Sequence, residues 1–175
     1  MTNITKLFSK LLRQIVGYAR LEKHLYGVFF EKKIGKILLV ETNHGYYLPG
    51  GGVLSKDIHG FGMGWKRTFF CRVVPDQIGA SAYSFEDKIQ DMSANYEAYV
   101  GRKEYAAIII CEMYAYQATK AEAKFYSFQE LEKLYREGKI EKNQALLASR
   151  AFVSRDCPNK EYREQAVPLL KELLK

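Results

Sequence analysis

The stretch that decides the fold is Tyr46-Tyr47-Leu48-Pro49-Gly50-Gly51-Gly52-Val53, two aromatic residues followed by Leu-Pro and three glycines. An apolar run at positions 36–41 precedes it, and the polar turn Asn43-His44-Gly45 joins the two. Aromatic and branched apolar residues bounded by turn residues indicate strands. Glycines at a strand end allow another molecule to come close to the backbone. The order therefore predicts two strands joined by a turn, the second of which ends in the glycines.

The remaining sequence predicts strands in the first two thirds of the chain and helices in the last third. The run at 105–111 is apolar on both faces and is expected at the centre of a sheet. Ser127-Phe128-Gln129-Glu130 has the pattern of a capping box, and Gly138 is the expected stop of the helix that it begins. Strands are predicted at 24–31, 36–41, 77–85 and 105–111, and helices at 127–138, 141–153 and 160–174. This arrangement predicts an α+β domain.

Composition and charge are those of a soluble, basic protein. The chain has 175 residues, 47% of them hydrophobic and 27% charged, and a net charge of +7. The simplest interpretation of the basic balance is a solvated lysine surface, and a phosphate-bearing ligand or nucleic acid such as RNA is the alternative. Its cysteines, Cys71, Cys111 and Cys157, form no Cys-x-x-Cys pair and indicate neither a zinc site nor a disulfide framework. Free thiols and the lack of a long apolar run predict a cytoplasmic protein.

Residues 1–21 are predicted to form a basic amphipathic helix. Apolar residues recur at helical spacing from Ile4 to Val16, with lysine and arginine between them and no acidic residue. Such a stripe most often faces a core, so we expect this helix to pack on the domain or on a partner chain, as in a homodimer. An anionic membrane surface and an organellar presequence are the alternatives.

Two separated blocks of the sequence resemble the Nudix (MutT-like) hydrolases. The first is the order of strand, turn, aromatic residues and Leu-Pro-Gly-Gly; the second is the aromatic strand, Ser-initiated helix and acidic-Gly-basic break from Lys124 to Ile140. The resemblance covers residues 24 to 154. It implies a mixed β-sheet sandwiched between helices, with added N-terminal and C-terminal helices. It divides the chain into a helix at 1–21, a Nudix-like domain at 22–156 and a helix at 157–175 that packs on the same domain.

Members of this family cleave a nucleoside diphosphate linked to another moiety, using divalent metal held by glutamates on a helix after the glycines. Glutamates one turn apart share a helix face and hold hard cations, which activate a water. Six residues past Gly51, where the family has Glu, this chain has Asp57, and no other acid lies between Gly51 and Val74. Lys66 and Arg67 stand in the segment that should carry the glutamates. The family's metal site is therefore replaced by a basic segment.

The resemblance implies a set of site residues at and beyond the glycines. The expected ligand-binding residues are Leu48, Pro49, Gly50, Gly51, Gly52, Lys66 and Arg67. If the chain is active, Asp57 and Glu97 are the expected catalytic residues. In that case Asp57 and Glu112 are expected to hold Mg²⁺ or Mn²⁺; otherwise no cofactor is expected.

Three functions stay open at this point. The first is a Nudix-like domain that binds a nucleotide-like or phosphate-bearing small molecule with impaired or absent catalysis, because cationic side chains hold phosphates without metal. The second is an active pyrophosphohydrolase whose metal ligands lie outside the usual segment, among Asp57, Glu86, Asp87, Asp91, Glu97 and Glu112. The third is a non-enzymatic module that binds protein, RNA or a membrane surface.

Overall fold

A computed structural model of the chain describes residues 22–53, 74–79, 95–100, 103–113 and 118–175. Within them the strands are β1 (Glu22–Glu31), β2 (Ile37–Thr42), β3 (Gly45–Tyr47), β4 (Gly50–Val53), β5 (Asn95–Val100), β6 (Lys103–Met113) and β7 (Ala123–Tyr126). The helices are α1 (Val74–Ile78), α2 (Phe128–Arg136), α3 (Lys142–Val153) and α4 (Lys160–Leu173). The predicted helix at 1–21 lies outside the described residues.

Strand β1 holds the sheet together. Along one edge it pairs in parallel with β6, and β6 pairs antiparallel with β5. Along the other edge β1 pairs antiparallel with β4 near its start and with β2 at its end. Strand β2 also pairs antiparallel with β3 and β7. The predicted α+β class is confirmed, and so is the central position of the strand at 105–111, because β6 has a partner on each edge.

One face of the sheet packs on the three C-terminal helices. Tyr26, Val28 and Phe30 alternate along β1 and lie in one buried cluster with residues of α2, α3 and α4. That spacing of two places them on the same face of the strand. Phe29 and Leu38 lie outside that cluster and are also fully buried, at 0% exposure. The sheet is thus covered on both faces at the β1–β2 hairpin.

Both ends of α2 have the structure that the sequence predicts. The Ser127 side chain accepts the Glu130 N–H, and the Glu130 carboxylate accepts the Ser127 N–H, which completes the capping box. At the other end Gly138 has φ of 68°, its N–H donates to the Tyr135 carbonyl, and the next N–H donates to the Leu134 carbonyl. This pair of hydrogen bonds is a Schellman motif.

The start of α4 is tied to the β1–β2 turn. Asn159 caps α4, since its side-chain oxygen accepts the N–H groups of Glu161 and Tyr162. Its Nδ2 donates to the Ile34 carbonyl at 2.9 Å. The helix then packs along α3, with Tyr162 and Ala166 in the buried cluster.

The strand predicted at 77–85 is wrong where the structure describes it. Gln77 and Ile78 are the last two residues of the short helix α1, and Ile78 is fully buried. Gln77 and Ile78 are too few residues for the period of a strand or of a helix to be recognised in the sequence.

Candidate functional site

Two glutamine side chains hold the segment Leu48–Gly51. Gln144 of α3 accepts the Leu48 N–H at 3.0 Å. Gln77 of α1 accepts the Gly50 N–H at 2.6 Å and donates to the Gly50 carbonyl at 2.7 Å. From the opposite side, the Gly27 N–H donates to the Pro49 carbonyl at 2.8 Å. The backbone of this segment is therefore fixed from both sides before any ligand arrives.

The pairing of Gln77 with Gly50 follows from the geometry of β4. In an antiparallel pair, the N–H and C=O groups of alternate residues turn away from the partner strand. Gly50 lies opposite Tyr26, and its backbone groups face away from β1. A glutamine amide offers one acceptor and two donors, so Gln77 satisfies both groups as a neighbouring strand would.

Gly51 lies in this fixed backbone and has no close neighbour on its side-chain face among the described residues. Its φ of +154° lies in a region that L residues rarely adopt, and a methyl group built there would meet no atom of the described residues within 4 Å. Gly35 and Gly79 differ, since a methyl group on either would collide with neighbouring side chains. No residue that the structure describes therefore occupies the side-chain position of Gly51.

Glu97 shares a row of the sheet with Gly51 but is far from it. Glu97 of β5 pairs with Ala106 of β6. Ala106 pairs with Leu25 of β1, and Leu25 pairs with Gly51. Three strand spacings of 4.7–4.9 Å separate the two backbones by about 14 Å.

Glu112 lies at the opposite end of the sheet. It precedes Met113, which pairs with Glu31 at the end of β1, whereas Gly51 pairs near the start of that strand. Six residues of strand separate Glu112 from Ala106, a length of about 20 Å. The structure therefore does not bring Glu112 to either Gly51 or Glu97.

The other predicted charged site residues, Asp57, Lys66 and Arg67, lie outside the described residues, and so do the alternative metal ligands Glu86, Asp87 and Asp91. Among the residues that are described, no three His, Cys, Asp or Glu side chains come together in a group that could hold a metal ion. Of the expected ligand-binding residues, the structure brings Leu48, Pro49, Gly50 and Gly51 together with two glutamines that the sequence analysis did not select. The signal for Gln144 is that two polar residues, Asn143 and Gln144, directly precede the apolar run of α3 that begins at Ala145, and both are buried.

A tyrosine pair fixes β3, the strand that leads into Leu48. The rings of Tyr46 and Tyr126 meet edge to face with centroids 5.6 Å apart. The Tyr46 N–H donates to the Lys139 carbonyl at 2.9 Å. Burial, followed by the nearby Tyr46 and Glu41, raises the pKa of Tyr126 to about 12. A hydrogen bond to Glu41 raises the pKa of Tyr46.

We expect part of the stability to be lost as the pH rises from 10 to about 12, since the pKa of Tyr126 rises from 10.0 to about 12 on folding. In that window the unfolded chain loses the proton more readily, so ionisation favours unfolding. The contribution of Tyr126 to the free energy of unfolding is complete below its pKa in the unfolded chain. It is lost as the pH rises through its pKa in the folded protein. Urea unfolding measured across this pH range should show a smaller loss of stability for Tyr126→Phe than for the wild type. Equal losses of stability in the two proteins would contradict the raised pKa of Tyr126.

A comparison with models of known protein families finds none that matches this chain, and a comparison with curated proteins finds no relative. Within the described ranges, none of the helices is both long enough and apolar enough to pass through a membrane.

Proposed function

We propose that the chain is a Nudix-like domain that binds a nucleotide-like or phosphate-bearing ligand at Leu48–Gly52, with impaired or absent catalysis. The observation that carries the proposal is the fixed backbone of Leu48–Gly51, held by Gln77 and Gln144 and open beside Gly51. A site whose backbone is ordered in advance loses less entropy when it binds. Fully buried Phe29 and Leu38, outside the cluster formed with the C-terminal helices, support a sheet sandwiched between two layers.

The charges in the sequence after the glycines support binding without metal. Asp57 is the only acid between Gly51 and Val74, and Lys66 and Arg67 lie in the same stretch. Arginine and lysine hold phosphate oxygens through charge-assisted hydrogen bonds and need no cation between them. The same stretch has too few carboxylates to hold the metal ions that polarise a pyrophosphate and activate water.

The spacing of Glu97 and Glu112, the two candidate acids that the structure describes, supports the loss of catalysis. A divalent ion binds carboxylate oxygens at about 2.0–2.6 Å, so its ligands must converge. The register of β5 and β6 places Glu97 opposite Ala106, and six residues of β6 separate Ala106 from Glu112. These two glutamates therefore do not serve one metal centre in this arrangement of strands.

Thermal unfolding with a panel of nucleoside diphosphate compounds, including ADP-ribose and dinucleoside polyphosphates, tests the proposal. A ligand that binds the folded state raises the unfolding midpoint by mass action. We expect the ligand to raise the unfolding midpoint by the same amount in the presence of a chelator as in the presence of Mg²⁺ or Mn²⁺. A rise that requires metal, together with hydrolysis of the compound, would instead establish an active pyrophosphohydrolase. No rise with any compound would contradict both nucleotide hypotheses and favour the interaction module.

Gly51→Ala should separate binding from stability when it is compared with Gly138→Ala. Both glycines have positive φ, and a methyl group at either meets no described atom within 4 Å. Each substitution should therefore lower the free energy of unfolding by a similar amount, about 1–3 kcal/mol of backbone strain. Only the methyl group at position 51 stands where the ligand is expected, which should weaken binding by roughly tenfold or more through overlap. Titration calorimetry with the best compound of the panel measures both affinities. Equal affinities in the two variants would mean that Gly51 is not part of the binding site.

A further inference from the structure

The first turn of α3 offers unsatisfied hydrogen-bond donors beside the candidate site. This helix of 12 residues begins after Glu141, whose side chain makes no capping hydrogen bond. The first hydrogen bond within the helix runs from the Ala145 N–H to the Glu141 carbonyl. The N–H groups of Lys142, Asn143 and Gln144 therefore have no acceptor inside the helix. Such a helix end favours an anion, because its free donors and its dipole act in the same direction.

Gln144 adds a second donor that lacks an acceptor. The residue is 0% exposed, and its Nε2 has no hydrogen-bond partner among the described residues. Its Oε1 accepts the Leu48 N–H, and this fixes which end of the amide is the donor. A buried amide donor without an acceptor is unfavourable and calls for a missing partner such as a ligand. Gln144 belongs to the first turn of α3 and its Oε1 is bound to the Leu48 N–H, so its Nε2 lies close to Leu48.

We propose that the first turn of α3 and the Nε2 of Gln144 form a subsite for a phosphate group, an inference that rests on the proposed function. The main-chain N–H groups of this turn, the amide of Gln144 and the ammonium of Lys142 are all donors. A phosphate oxygen is an acceptor only, and it matches such a set without leaving a donor unsatisfied. The subsite adjoins Leu48, whose N–H binds the same glutamine, so one ligand can occupy both it and the glycine strand.

One neighbouring charge opposes an anion here. Glu141 is exposed and lies near enough to Tyr47 to contribute, after burial, to raising the pKa of that tyrosine. Its carboxylate stands at the N-terminal end of α3, where it repels a phosphate. Removing this charge should therefore strengthen binding, while a new carboxylate at position 144 should weaken it. Opposite effects from two substitutions three residues apart are not expected from general destabilisation.

Titration calorimetry in the presence of a chelator, with ADP and with inorganic pyrophosphate as probes, tests the subsite. We expect Gln144→Glu to weaken binding roughly ten- to a hundredfold, since it loses a hydrogen bond to a charged group and adds repulsion. Glu141→Gln should tighten binding by roughly two- to fivefold, the size of a surface charge effect at a helix end. Gln129→Glu makes the same chemical change at an exposed position of α2 and should leave the affinity unchanged.

Amide NMR of the wild-type protein gives a readout that does not depend on how the variants fold. Adding ADP should shift the backbone signals of Leu48, Lys142 and Asn143 and the side-chain Nε2 signal of Gln144. If ADP binds but these signals stay in place and Glu141→Gln leaves the affinity unchanged, the subsite is wrong and a buried water serves Gln144. The proposed function then stands. If neither probe nor any compound of the panel binds the wild type, the proposed function and the subsite fail together.

Discussion

Replacing Phe152 with alanine is expected to lower the free energy of unfolding by about 3–5 kcal/mol. The side chain is 0% exposed, and its ring meets those of Phe30, Phe128 and Tyr162 edge to face, with centroids 6.0, 5.7 and 5.7 Å away. These three rings belong to β1, α2 and α4, so Phe152 of α3 joins the sheet to every C-terminal helix. The cavity left by alanine cannot close without moving one of these elements.

Urea unfolding, followed by circular dichroism, measures this loss. Phe152→Leu should lose clearly less stability than Phe152→Ala, because leucine keeps most of the buried apolar volume. Leu174→Ala, at a side chain that is 56% exposed, should change the stability by no more than about 0.5 kcal/mol. A loss below about 1 kcal/mol for Phe152→Ala, within the range of ordinary substitutions, would contradict the packing of α3 between sheet and helices.

Local signals account for the elements that the sequence predicts correctly. The capping box at Ser127 involves only residues 127–130, and the Schellman motif at Gly138 involves only residues 134–139. Likewise, the apolar runs of β1, β2 and β6 are long enough to identify strands without knowledge of their partners. These features depend on neighbours in the chain, so the chain alone is enough to find them.

The arrangement of the candidate site depends on distant residues instead. Gln77 binds the backbone of Gly50 across 27 positions, and Gln144 binds that of Leu48 across 96. Neither partner is visible from local spacing, because tertiary packing selects it. This is why Gln77 was assigned to a strand and why Gln144 had no predicted role. The glycine segment itself is visible in the sequence, since its glycines and proline mark it by their backbone properties.

Sheet register likewise decides which acids can act together. Glu97 and Glu112 were both selected because acidic residues were missing near the glycines. The parallel pairing of β1 with β6 then places Glu112 near Glu31, while the pairing of β5 with β6 keeps Glu97 level with Leu25. A sequence gives the spacing along one strand, but the offset between two strands is set by how the whole sheet packs.

Gly45→Ala is expected to lower the free energy of unfolding by about 3 kcal/mol or more, as the sum of backbone strain and steric overlap. Gly45 has φ of +121°, and a methyl group there would overlap the Lys139 carbonyl oxygen. That oxygen accepts the Tyr46 N–H, and Tyr46 also forms a parallel bridge with Ile140. The substitution therefore forces β3 away from the segment that connects α2 to α3.

Gly138→Ala is the matched control, because it has the strain of a positive φ without any overlap with described atoms. Gly45→Ala should exceed the control by about 1–3 kcal/mol in urea unfolding, because it adds the overlap and a φ outside the left-handed region that L residues can adopt. Hydrogen exchange should locate the difference, with faster exchange at the Tyr46 amide in Gly45→Ala than in Gly138→Ala. Equal losses in the two variants would mean that β3 does not lie against Lys139. In that case the strand that carries the chain into Leu48 would have to be placed differently.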